Sequence, residues 1–204
     1  MLLNKPAETS QPVIDVIRNR WSPRAFTDQA VPKNVLTSLF EAARWAASCN
    51  NSQPWRFIIA TRENRAEYDR LLSCFNDRNQ SWAITAPIIM ITCADKNLPN
   101  GNPSNYGFYD TGAAMAQFTV QASSHGLVVH QAQGIMPDKV REEYGVPDDF
   151  DPCTGVALGY QGEAGVLPED YAKREVLPRD RKPLEELVFT GGFGNSSNTM
   201  GRLC

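Results

Sequence analysis

Between Asp110 and Gly126 the chain carries a segment whose apolar residues leave no polar face, and that segment limits the available folds more than any other. A helix is predicted over residues 111–125, with Asp110 as its N-cap and Gly126 closing it. Ala113, Ala114, Met115, Ala116, Phe118, Val120 and Ala122 spread around nearly its whole circumference. Such a helix has no side to offer to water. In a chain of 204 residues it lies either at the centre of one domain or against a second copy, and a homodimer is expected partly on that ground.

The other predicted elements alternate between helical and strand periodicity. Val13, Ile14 and Ile17 mark a first helix, with Ser10 placed to cap it. Pro32 opens a second, along which Val35, Leu36, Leu39, Phe40, Ala43 and Ala47 recur every three to four residues. Strands are predicted at 56–61, 88–93, 127–130 and 154–160, and further helices at 63–75 and 136–144. Trp82 ends a polar link, 95–107 is a loop, and 163–180, rich in Pro, Glu and Arg, reads as an extended arm. No repeat, low-complexity tract or linker divides the chain. One α+β domain is expected over 12–194, with a flexible arm at 1–11, a C-terminal arm from about 163 and a tail at 195–204.

Chemistry concentrates in four places. The first is Arg20-Trp21-Ser22-Pro23-Arg24, where Pro23 stops the preceding helix and the non-helical run lets Arg20, Ser22 and Arg24 point the same way. Two planar guanidiniums and a hydroxyl suit a terminal phosphate, although on this segment alone a solvated charged turn is the commoner outcome. The second is Ser48-Cys49-Asn50-Asn51-Ser52-Gln53, an uncharged donor-and-acceptor loop that suits a polar heterocycle as well as it suits a plain connection. Trp55 after it reads as a core anchor. The third is Gln133-Gly134, where the missing side chain allows close approach to the main chain. The fourth is a second basic knot, Arg179-Asp180-Arg181-Lys182.

Composition removes several alternatives. A net charge of −3 gives no global attraction to nucleic acid or an anionic membrane. Cys49, Cys74, Cys93, Cys153 and Cys204 are widely spaced with no Cys-x-x-Cys, as reduced thiols of a cytoplasmic protein would be. The longest apolar run, 86–92, is too short to span a bilayer, and the first ten residues do not read as a signal peptide. Neither a G-x-G-x-x-G after a strand nor a P-loop is present. His125 and His130 lack ligand-spaced partners, so no metal site is expected.

Taken together, W-S-P-R-A-F, A-A-R-W-A-A-S-C-N-N-S-Q-P-W-R-F, the Asp110 helix ending in His-Gly-Leu, A-L-G-Y-Q-G-E and R-K-P-L-E-E-L-V-F resemble the FMN-dependent nitroreductase family over residues 13–194. The resemblance implies a three-layer α+β sandwich, mainly antiparallel, forming an intertwined homodimer with flavins at the interface and C-terminal arms crossing onto the partner. It implies that Arg20, Trp21, Ser22 and Arg24 grip the FMN phosphate, completed by Arg181 with Arg179 as a second candidate. Asn51 and Gln53 match positions at the ribityl chain and pyrimidine edge, and Gln133 and Gly134 match the place where main-chain N–H groups face flavin N5. Tyr106, Phe108, Tyr109 and Trp82 fall in the region that faces substrate in such proteins.

The activity so implied is ping-pong transfer of hydride from NAD(P)H to a nitroaromatic, quinone or similar acceptor, with no protein acid or base required. Rivals on the same fold are a dehalogenase, a flavin-fragmenting enzyme and an enoyl-type reductase. Rivals of other classes are a non-catalytic flavin or anion binder and a thiol enzyme built on Cys49.

Overall fold

The apolar run that begins at Ile88 forms the spine of the sheet, and the structure, a computed structural model, describes residues 2–195 of the chain around it. Apart from Asn195, the predicted tail at 195–204 lies outside the described residues. β2 (Ile88–Asp95) pairs antiparallel with β1 (Trp55–Thr61), Ile58 opposite Ile91, and with β4 (Phe150–Gly159), Met90 opposite Val156. β3 (Val128–Ala132) pairs antiparallel with the outer side of β4, giving the order β1-β2-β4-β3. Burial on both faces explains why β2 reads as continuous apolar residues instead of alternating ones.

Two cores separate three layers. On one face, Ile88 and Met90 of β2 and Val156 and Leu158 of β4 meet α2 (Lys33–Arg44) and α5 (Gly107–Ser124) through Leu39, Ala43, Ala114, Met115, Phe118 and Ala122. On the other, Ile89, Ile91 and Ala157 meet α3 (Arg65–Leu72), α4 (Asp77–Ala83) and α6 (Pro137–Tyr144) through Tyr68, Leu71, Trp82 and Val140. The two-residue period of each strand sends neighbours to opposite cores, and this makes the molecule an α+β sandwich. At Gly155 an added Cβ would come within 2.7 Å of the Phe75 ring (Cζ), so the second core closes on bare backbone.

Several sequence expectations need correcting. The first helix, α1 (Asp15–Asn19), starts too late for Ser10 to cap it; Ile14 occupies that position and offers no side-chain bond. α2 stops at Arg44, before Ala47. α5 begins at Gly107, so Asp110 lies inside its first turn, where its carboxylate serves another segment. One side of α5 is uncovered in the single chain, exposing Phe108, Tyr109, Gly112, Ala116 and Gln117. α4 occupies what read as a polar link, capped by Asn76 Oδ1, which accepts the Asn79 N–H. The arm predicted as extended contains α7 (Glu169–Glu175). Residues 2–11 form no helix or strand, yet Leu3 O accepts from Gln161 Nε2 and the Ala7 N–H donates to Arg18 O.

Candidate functional site

The arginine turn forms where Pro23 prevents α1 from continuing, and it is fastened along its length. Arg20 caps α1 through its N–H to Val16 O, and its Nη1 donates to Ser22 Oγ at 3.1 Å. Trp21 is buried, with Lys5 Nζ 4.3 Å above its ring. Downstream, Thr27 N–H donates to Tyr160 O and Gly162 N–H to Ala25 O, which ties the turn to the end of β4. His130, on β3, has Nδ1 2.9 Å from Ser22 O and 3.0 Å from Pro23 O. Burial, with Arg24 beside it, pushes the His130 pKa down to about 4 despite those carbonyls. The ring is therefore neutral, and Nδ1–H donates to the turn.

The two basic knots meet. Arg179 Nη1 donates to Lys5 O at 2.7 Å and to Arg18 O at 3.1 Å, laying the second knot on the first. Burial lowers the Arg20 pKa, and the charges of Arg179 and Arg181 lower it further. Lys5 is lowered in the same way, by burial first, with Arg179 and Arg24 adding to it against the pull of Glu175. Among the described residues the group Lys5, Arg20, Arg24, Arg179 and Arg181 has one ion pair to a carboxylate, Arg24 Nη1 to Glu175 Oε2 at 3.7 Å. A cluster so under-compensated presents a local excess of positive charge.

Beside the turn lies a cavity of about 300 Å³ that brings Arg24 and His130 together with Gln133 and Gly134. Its opposite wall was missed in the sequence: Asn76, Arg78 and Asn79 from the start of α4, and Tyr171 and Arg174 from α7. Gly134 is required here because a Cβ would run into the side-chain amides of Asn76 and Asn79. Its carbonyl accepts from Asn76 N and from Asn79 Nδ2, both at 3.0 Å. Trp82 is 1% exposed, donates Nε1–H to Asn79 Oδ1 and packs 4.4 Å from the His130 ring. It supports the wall from the core and does not face the cavity.

The polar loop lies elsewhere in the chain. Asn50, Asn51 and Gln53 all have left-handed backbones, with φ of 51°, 52° and 47°. Asparagine adopts that region readily and glutamine does not, so Gln53 carries strain. Ser48 Oγ accepts the Gln53 N–H, Gln53 O accepts from Arg56, and Asp110 accepts the Cys49 N–H. Asp110 is near the start of α5, whereas Arg20 and Trp21 share a cavity with Ser123 and Gly126 at its end. Thirteen residues of helix separate the two by about 20 Å. One chain therefore brings Arg20, Ser22, Arg24 and Arg181 to one end and leaves Asn51 and Gln53 at the other.

Tyr106, Phe108 and Tyr109 are exposed at the start of α5. Phe108 borders a separate cavity of about 380 Å³ with Lys96 and Ser104. Burial pushes the Cys93 thiol up to about 11 and Cys153 to about 12, which leaves both unreactive. Among the described residues no group of three or more His, Cys, Asp or Glu could hold a metal ion, and no helix is long and apolar enough to cross a membrane.

A four-stranded antiparallel sheet between two helical layers, with an under-compensated cationic turn opening onto an amide-lined cavity, defines an α+β sandwich. The chain belongs to the nitroreductase family, whose family model matches residues 17–160. An uncharacterised 15.4 kDa protein of Mycolicibacterium smegmatis is 34% identical over 146 residues, 69% of this chain and 98% of the relative. A putative NADH dehydrogenase/NAD(P)H nitroreductase of Methanothermobacter thermautotrophicus is 23% identical over 180 residues, 85% of this chain and 87% of its own. Among solved structures, an oxidoreductase containing FMN superposes with a TM-score of 0.87 at 33% identity, covering 96% of this chain and 100% of that one.

Proposed function

We propose that the chain is an FMN-dependent NAD(P)H oxidoreductase that reduces nitroaromatics, quinones or similar small acceptors. The observation that carries this reading is the meeting of Arg20 with Arg179 and Arg181 in a cluster with one ion-paired carboxylate. A phosphate monoester with nearly two negative charges fits such a donor set, and the Ser22 hydroxyl beside Arg20 adds a neutral donor. In this reading Arg20, Ser22, Arg24 and Arg181 hold the phosphate. Gln133 and Gly134, backed by Asn76 and Asn79, face the ring.

Bound FMN supplies two-electron transfer between a nicotinamide and an acceptor, chemistry that no side chain here provides. The protein's part is to bind, orient and bias. The guanidiniums of Arg24 and Arg78 set a positive field across the cavity that favours added negative charge. His130, neutral and donating to Ser22 and Pro23, holds the turn.

A homodimer completes the site in this reading. Asn51 and Gln53 meet the opposite end of α5 from the turn in their own chain, and the uncovered side of α5, with Phe108, Tyr109, Gly112 and Ala116, offers a surface for a second copy. Two copies packed through that surface would bring the loop of one to the turn of the other, and Tyr106, Phe108 and Tyr109 toward the acceptor. The cytoplasm, rich in reduced nicotinamides, suits the activity.

The test begins with the visible spectrum of the purified protein and an anaerobic NAD(P)H titration. A yellow protein bleached by the nicotinamide, parallel double-reciprocal lines with an acceptor, and a dimer mass by light scattering are expected. A colourless protein that refuses added FMN would overturn the reading.

A further inference from the structure

The arginine turn is held from two sides by groups of opposite polarity, and one of them comes from the far end of the chain. From β3, His130 Nδ1–H donates to the carbonyls of Ser22 and Pro23. From α7, Glu175 Oε1 accepts the N–H of Arg24 at 2.6 Å and of Ala25 at 3.2 Å. Three consecutive peptide groups, from Ser22–Pro23 to Arg24–Ala25, are thus pinned where Pro23 forbids a helical ladder to satisfy them. Glu175 is 2% exposed, so little water competes for these bonds.

The second oxygen does different work. Among the described residues Glu175 Oε2 has no hydrogen-bond partner, and it lies 3.7 Å from Arg24 Nη1. At that distance the guanidinium is attracted without being clamped, so its N–H edges stay available to the cavity it lines. The rest of α7 holds Glu175 in place. Tyr171 OH donates to Arg78 O at 2.8 Å, the Tyr171 ring lies 5.6 Å from Arg24 Cζ, and Lys5 Nζ donates to Glu175 O.

We propose that Glu175 is a positioning residue for the phosphate grip: by fixing the peptides of Arg24 and Ala25 it sets where the Arg24 guanidinium points, and so decides how well the protein tells FMN from riboflavin. This rests on the reading that the arginine turn binds the FMN phosphate. A carboxylate that served only to fill the core would affect both flavins alike. A carboxylate that positions the turn acts on the phosphate alone.

The experiment titrates flavin-free protein with FMN and with riboflavin by fluorescence quenching, and reads the ratio of the two Kd values in wild type and in Glu175→Ala, Glu175→Asp and Glu175→Gln. The ratio should fall by about tenfold or more in the alanine variant, the loss expected when hydrogen bonds to a charged acceptor are removed. The riboflavin Kd should stay within about twofold. Should the alanine variant not fold, the aspartate variant carries the test, because a carboxylate one methylene shorter stays charged but no longer reaches both N–H groups. It should also lose selectivity, whereas glutamine, which keeps the acceptor oxygen, should stay within about threefold of wild type. An unchanged ratio in folded alanine or aspartate variants, or equal weakening of both flavins, would overturn the proposal while leaving the FMN reading intact. Wild-type protein that binds neither flavin would overturn the FMN reading, and this proposal with it.

Discussion

The Asp110 carboxylate, 4% exposed in the first turn of α5, accepts the N–H of Cys49 at 2.9 Å and so fixes the polar loop to the start of the longest helix. An aspartate at a helix start also meets the positive end of the helix dipole. Asp110→Ala removes a charged acceptor and leaves a partly buried N–H bare, so a loss of about 1.5–3 kcal/mol in urea unfolding is expected. Asp110→Asn, which keeps an acceptor, should cost less than half of that.

Arg20→Ala and Arg181→Ala should each weaken FMN binding by about tenfold or more, since a charge-assisted contact contributes about 1.5–3 kcal/mol. Because the two guanidiniums already influence each other, the double variant should lose less than the sum. Isothermal titration with flavin-free protein measures all three.

His130 gives the stability a definite pH dependence. In the folded chain it titrates at about 4 against 6.5 ordinarily, lowered by burial and then by Arg24. Between those values the unfolded chain binds a proton that the folded chain refuses, so stability falls as pH falls. Its contribution is complete above pH 6.5 and lost on approach to pH 4. The size is on the order of 3 kcal/mol. Urea midpoints for wild type and His130→Gln, followed from pH 7.5 to 4, should show the wild type losing the larger share.

Gly155→Ala would push a methyl group into the Phe75 ring, at a cost of about 1–3 kcal/mol for overpacking. Phe75→Leu in the same chain should recover part of it, and a double-mutant cycle by thermal unfolding reads the coupling.

Where burial was uniform the sequence announced it. β2 and the apolar face of α2 could be read directly, because a buried strand or stripe has few polar exceptions. α4 could not, since only Trp82 and Ala83 of its seven residues are buried and its start is defined by the side-chain cap from Asn76. Reading that stretch as a link hid Asn76, Arg78 and Asn79, although an asparagine followed three residues later by another just ahead of Trp82 was an available cue. α7 was hidden by its flanking prolines and its charge, and Glu175 with it. Nothing local marks Glu175, among the five charged residues of α7, as the buried one. The arginine turn itself was visible because Pro23 limits what the chain can do there. The separation of Asn51 and Gln53 from that turn was not, because it depends on which end of α5 each segment meets.

The bonds from Glu175 to Arg24 and Ala25 join positions 151 and 150 residues apart. On the ribosome, the turn emerges 151 residues ahead of its last fastening. All four strands are complete by Gly159, so a product released a dozen residues later would own its whole sheet and still lack this clasp. If the turn holds the flavin phosphate, as proposed, truncation in that interval should cost flavin retention before it costs the sheet, which makes retention a check on whether translation ran to the end of α7.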